Sequence, residues 1–464
     1  HADRTRGHAL VADWLVTVGE KDPTILARQY VFAEKHQLAA EHWLTAANQA
    51  YFHQDHAMAR TLLERALASD PATEVRVNAK LTFAEILFWA GQFDEALSCT
   101  SEALAHFSWG TQGWLDAMGV AARCTLRLSQ TADLTPVRSM IKAVQNNPTL
   151  APNPRSLATL VTWCLRQQAR ELAVQVIDVL GAAALRNSKD DLGGKAGHLR
   201  CRSWLAAADG DYEACLDFDS EAMHYAAQVG DRRLLATSLS DIGYDLLMLG
   251  AYEEAEANFR SAQEIATQVG LLPLVATIDH NLGLVLHRLG RDDEAITLET
   301  RALAVGRSSG DQLLLAFCEH YLGQIYLDRG EFDLAERHLE SVAQGQTHPE
   351  LRSAVLAKLS RLAQRKGWHG LARLRLEEAL RIADPLTIEE DHQLIPVTQL
   401  LYFQETKDVV AYRQKLRHTL DSLLQRANRI RDPQRRMSFL ERVPDHRIIM
   451  DAARREGWVA ELPT

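Results

Sequence analysis

Glycine returns every twenty residues between positions 210 and 330, at Gly210, Gly230, Gly250, Gly270, Gly290, Gly310 and Gly330. A single globular core does not require such regularity, whereas a chain that repeats one small structural unit does. Between the glycines the apolar residues keep helical spacing, as in Leu235, Leu239, Ile242 and Leu246. When residues 191–230, 231–270, 271–310 and 311–350 are aligned without gaps, Ala196, Ala236, Ala276 and Ala316 also share a column. Each unit therefore reads as two helices with a glycine after each, since a helix commonly ends on a left-handed residue that glycine reaches without a Cβ clash. Asp231 and Asp311 follow two of these glycines and are placed to cap the next helix. The turns are short, so successive helices must run antiparallel.

Small residues inside the helices sharpen this reading. Gly243 and Ala255 stand twelve apart, as do Gly283 and Ala295, and Gly323 and Ala335, while Ala262 and Ala302 follow their alanines by seven. A small side chain on each helix lets the two backbones approach closely. The same comb recurs at Ala47, Ala59 and Ala66, at Ala84, Ala96 and Ala103, and at Ser360, Ala372 and Ala379. The pattern resembles the tetratricopeptide repeat, whose signature is Leu-Gly then Tyr on the first helix and Ala, Phe, Ala on the second. Here it reads Ile242-Gly243 with Ala255, Phe259 and Ala262, and Leu322-Gly323 with Tyr326 and Ala335. The period is forty, as in a long-helix variety of the repeat; Cys215 replaces one alanine and Glu299 stands where Phe is expected. HEAT-type repeats share the period but not the spacing of twelve. The resemblance implies an all-α fold, a right-handed superhelix of about nine helix pairs with an atypical C-terminal helical cap.

Along the chain, residues 1–34 read as junction helices, 35–145 as an N-terminal sub-array and 157–383 as the main array, with its regular repeats at 191–350. The Pro-rich "NNPTLAPNPRS" (146–156) is expected to be a loop between the sub-arrays. Residues 384–464 are expected to cap the stack, with helices over 390–404, 408–428 and 432–441. Two flanks carry a second resemblance. Residues 8–50 look like the junction at which the ATPase half of STAND-type signalling proteins enters its repeat array, and 429–458 are similar to the segment that closes such arrays in bacterial regulators, kinases and cyclases. This implies the sensor or regulatory arm of a larger signalling protein, and the start at His1 rather than Met fits a piece of a longer polypeptide. No P-loop is found; "LGGKAG" (192–197) lacks its first glycine and its Ser/Thr.

Bulk properties exclude several classes. The net charge of −10 argues against a nucleic-acid-binding surface, and no apolar run is long enough to span a bilayer. Cys99, Cys124, Cys164, Cys201, Cys215 and Cys318 form no C-x-x-C pair and sit in apolar helical patterns, so they read as buried free thiols of a cytoplasmic protein. The basic residues Arg413, Lys415, Arg417, Arg426, Arg429, Arg431, Arg435 and Arg436 read as a solvated helix face.

The family resemblance places binding on the concave surface lined by the first helices. Carried over by position, it marks Arg200, Trp204, Ser240, Tyr244, Met248, His280, Leu284, His287, Arg288, His320, Gln324 and Asp328. A protein or peptide ligand, or another domain of the same polypeptide, would lie there with acidic groups near Arg200 and Arg288. An alternative is a small-molecule or metal-dependent site centred on His280, His287 and His320. Against it, a zinc site needs about three converging ligands, while helices in adjacent repeats stand roughly 10 Å apart. No nucleophile or metalloprotease motif is present, so no enzyme activity, no catalytic residue, no cofactor and no bound metal are expected.

Overall fold

Gly210, Gly230, Gly250, Gly270, Gly290, Gly310 and Gly330 all hold positive φ, between 67° and 79°, and a helix stops just before each. The computed structural model describes residues 2–129, 133–186, 191–345, 347, 349–383 and 393–459. Helices and short connections account for these residues, with no strand among them. Gly230 shows the punctuation in full. It ends the helix Tyr212–Val229 in the left-handed region. Asp231 then caps Arg232–Met248 by accepting from the N–H groups of Arg233 and Leu234. Asp311 caps Gln312–Arg329 through the N–H of Leu314.

Five helix pairs build the main array: Leu192–Ala208 with Tyr212–Val229, Arg232–Met248 with Tyr252–Val269, Leu272–Arg288 with Asp292–Ser309, Gln312–Arg329 with Phe332–Gln344, and Pro349–Arg365 with His369–Ala383. In the three middle pairs the helices nest on a glycine. A Cβ at Gly243 would meet the Phe259 ring at 3.0 Å, one at Gly283 would meet Glu299 Oε1 at 3.0 Å, and one at Gly323 would meet Leu339 at 2.6 Å. Ser203 takes the glycine's place in the first pair and donates a hydrogen bond to Asp219. The facing column is thus Asp219, Phe259, Leu339 and Glu299, all buried. Two of its four members are carboxylic acids where their neighbours bury hydrocarbon.

The chain from 2 to 186 forms a second run of antiparallel helices, from Ala2–Thr17 to Pro154–Arg166 and a last helix that begins at Arg170 and passes through a π turn at Val176–Gly181. The connection between Thr135–Asn146 and Pro154–Arg166 is non-helical, and Pro154 opens the following helix, where its missing N–H costs nothing. In the C-terminal segment, Leu394–Glu405, Val409–Ala427, Pro433–Glu441 and Pro444–Arg455 are helical; residues 384–392, where this segment was expected to open, lie outside the described residues.

Two seams close the main array on itself. At the N-terminal ends of its first helices it meets the N-terminal run: Arg127 pairs with Asp311 at 3.0 Å, Gln54 donates to Asp231 at 3.4 Å, and the Arg233 guanidinium lies 4.6 Å from the Tyr51 ring centroid. At their C-terminal ends it meets the C-terminal segment. There Tyr252 donates to the Arg442 carbonyl at 3.1 Å, Arg429 donates to the Asp209 carbonyl at 2.8 Å, and Ser438 O would stand 2.7 Å from a Cβ on Gly250. The basic C-terminal run is therefore not simply a solvated face. Arg431 reaches Asp217 at 2.5 Å, Arg435 reaches Glu254 at 3.6 Å, and Arg413 pairs with Glu456 at 2.9 Å. The carboxylates Glu213, Glu253 and Glu254 lie in the first turns of second helices, where a negative charge also suits the helix dipole.

Candidate functional site: an arginine-lined chamber inside the superhelix

Between the seams the concave surface holds a cavity of about 730 Å³ that is partly open to solvent. One wall is the first helices of the main array. The facing wall comes from Thr73–Trp89, Gln112–Leu128 and Pro154–Arg166 of the N-terminal run. Six arginines reach the lining, Arg123, Arg127, Arg166, Arg170, Arg200 and Arg233, against three carboxylates, Asp209, Asp241 and Glu350. Aromatic rings from both walls complete it: Phe88 and Trp89 from one, Trp204, Tyr244 and Phe317 from the other. The Trp204 and Tyr244 rings stand 6.1 Å apart on adjacent repeats.

The arginines are held by different means. Arg123 is 2% exposed. Burial works against its charge, but Glu85 at 2.5 Å more than offsets this and its pKa rises. Its guanidinium also stacks 4.5 Å from the Phe88 centroid. Arg166 lies 5.2 Å from the Phe317 ring centroid. Arg170 pairs with Asp209 at 2.8 Å. Arg200 pairs with Asp241 at 2.7 Å, where burial raises the Asp241 carboxyl and Arg200 pulls it back. Asp219 lies behind this pair. Burial first, and the Asp241 charge second, push its carboxyl well above the ordinary range.

Residues 274–348 match the family model of the tetratricopeptide repeat. Among solved structures, a Rap protein complexed with Competence and Sporulation Factor superposes with a TM-score of 0.51 at 16% identity, over 76% of this chain and 99% of that one. The Cut9–Hcn1 hetero-tetramer of the APC/C gives 0.50 at 15% identity, over 98% and 93%. Residues 274–348 thus carry the tetratricopeptide repeat, and the chain shares the helical-repeat fold of these two structures. A STAND protein with a tetratricopeptide repeat sensor from Pyrococcus horikoshii also matches, with a TM-score of 0.40 at 13% identity, over 83% and 53%. No curated protein matches the sequence.

The tetratricopeptide geometry distributes the sequence-marked groove residues unevenly. Arg200, Trp204, Ser240, Tyr244, His280 and His320 line the chamber; Met248, His287, Arg288 and Gln324 lie outside that lining. Met248 packs against the core near the C-terminal segment. His287 bridges Asp292 at 2.8 Å and Asp328 at 3.0 Å, and Gln324 donates to Asp328 at 2.7 Å. The three histidines of the alternative site have separate partners. His280 bonds Glu299 at 3.0 Å, His320 contacts the buried Lys358 amine at 2.7 Å, and His287 holds its two aspartates. The facing arginines, Arg123, Arg127, Arg166 and Arg170, are not marked by the family pattern because they lie between 110 and 190, where the comb of small residues is blurred. A signal existed: Arg123 and Arg127 stand four apart on Gln112–Leu128 and so share a helix face.

Proposed function

We propose that the chamber is the binding site of a short acidic peptide, and that the chain serves as the sensor or regulatory arm of a larger signalling polypeptide of ATPase, kinase or cyclase type. The observation that carries the first part is the lining itself: six arginines, five of them held by ion pairs to Glu85, Asp311, Asp209, Asp241 and Asp231, share one cavity with aromatic rings from both walls. A cavity of this size suits a small ligand and not a long helix. Guanidinium forks suit carboxylates, and the aromatic rings offer apolar contact between them. The Rap protein that shares the fold forms a complex with Competence and Sporulation Factor, which agrees with a binding role for such a scaffold. The signalling-arm reading rests on the flanking stretches 8–50 and 429–458.

The test is a screen of short acidic peptides followed by tryptophan fluorescence, since Trp89 and Trp204 both face the chamber. Arg166→Ala and Tyr244→Ala should each weaken a binder by about tenfold or more. Arg288→Ala, outside the lining, should leave it unchanged. The reverse pattern, with Arg288→Ala alone weakening capture, would move the ligand to the C-terminal ends of the first helices and end the chamber reading.

A further inference from the structure

We propose that His280, Glu299 and Cys318 form a binding site for one thiophilic divalent cation of the zinc class. The three side chains come from three consecutive helices, Leu272–Arg288, Asp292–Ser309 and Gln312–Arg329, and one donor atom from each lies within 4.8 Å of the other two. Side chains of adjacent first helices can meet directly, as His287 and Asp328 do at 3.0 Å. The second helix between them supplies the third donor, because Glu299 occupies the column that faces Gly283 and projects its carboxylate towards His280.

Imidazole, carboxylate and thiolate are a fitting donor set for zinc, with bonds of about 2.0–2.3 Å that put tetrahedral ligands roughly 3.3–3.8 Å apart. A side-chain movement of about 1 Å would bring the observed atoms to that separation. The surroundings favour the ion in two further ways. The His280 ring is fixed between Phe317 and Tyr321, with centroids 5.8 and 5.0 Å away. Glu299 is fully buried, its Oε2 bonded to His280 while Oε1 makes no well-formed hydrogen bond and the Cys318 thiol presses on the same carboxylate. Without a cation these are two buried acids side by side. Burial raises the Glu299 carboxyl, and burial together with the Glu299 charge raises the Cys318 thiol. A carboxylate and a thiolate carry the two negative charges that a divalent ion offsets. Binding displaces the thiol proton, and any proton that Glu299 holds, to solvent. His280 lines the chamber, which gives the ion an approach, and three protein ligands leave one tetrahedral position for water or a ligand group.

The experiment titrates the purified full chain with cobalt(II) alone and with zinc(II) alone. One equivalent of cobalt should bind with a thiolate-to-cobalt charge-transfer band in the near ultraviolet. Zinc should displace it and raise the melting temperature. Cys318→Ser should abolish the band. Glu299→Phe, which installs the residue that Phe259 supplies in the preceding repeat, should keep the fold and lose both cobalt uptake and the zinc-induced rise. Absence of the charge-transfer band in the folded wild type overturns the proposal without recourse to any variant. Stoichiometric uptake that survives Cys318→Ser overturns it as well.

Discussion

Asp219 and Glu299 hold equivalent positions two repeats apart, and both bury an acid where Phe259 and Leu339 bury hydrocarbon. Each is accommodated by a local donor, Ser203 for Asp219 and His280 for Glu299. The Asp219 carboxyl titrates well above its ordinary range because burial and Asp241 both disfavour its charge. The folded chain then binds more protons than the unfolded chain between those two pKa values, so this residue makes stability fall as pH rises. Asp219→Asn keeps an acceptor for Ser203 and removes the charge. Its melting temperature should exceed that of the wild type at pH 8, and the gap should close towards pH 4; a constant gap across thermal melts from pH 4 to 8 would refute this. The sequence flags only part of the pattern. Glu299 is visible as a departure from the family's Phe, and Cys215 as a departure from its Ala. Asp219 passes unmarked, because an acid on a helix reads as solvated until the helix opposite is known.

At the scale of elements, helix ends and pairings are legible because they are local. A glycine, an aspartate and the comb of small residues act within one or two turns of themselves. The role of the C-terminal segment is not local. Its arginines meet carboxylates about two hundred positions earlier, as Arg442 does with Glu253 at 2.7 and 2.8 Å, and no periodicity in the sequence encodes such a pairing. This clasp contains its own acid-sensitive joint. His446 links Pro444–Arg455 to Pro433–Glu441 by a hydrogen bond of 2.8 Å with the Phe439 carbonyl. Burial lowers its pKa from 6.5 to about 4. The unfolded chain takes up this proton first, so stability contributed by neutral His446 is present above pH 6.5 and lost as pH falls towards 4. The loss amounts to about 3 kcal/mol by pH 4. Urea melts of the wild type and His446→Gln at pH 7 and pH 4.5 should show a smaller acid loss in the variant. Because Asp219 tilts the curve the other way, the comparison between variants, not the wild-type profile, isolates each group.

For the whole molecule the decisive feature is closure. A tetratricopeptide array presents an open inner surface; here the N-terminal run covers it at one end and the C-terminal segment at the other. The N-terminal seam is built on the array's own helix caps. Asp311 caps Gln312–Arg329 through one carboxylate oxygen, Oδ1, and receives Arg127 through the other, Oδ2, while Asp231 caps its helix and receives Gln54. The two functions of Asp311 can be separated. Asparagine caps a helix about as well as aspartate, so Asp311→Asn should keep the helix and lose only the ionic half, at a cost of about 1–3 kcal/mol. Arg127→Ala leaves Asp311 charged, and that side chain is only 1% exposed. Stranding a buried carboxylate costs more, about 3 kcal/mol or above. The double variant removes both the arginine and the charge it would strand, and should recover part of the Arg127→Ala loss. Small-angle scattering should show a larger radius of gyration for Arg127→Ala with unchanged helical circular dichroism, because the seam parts while the repeats stay folded. If all three variants melt alike and keep the wild-type radius, this contact does not hold the seam together.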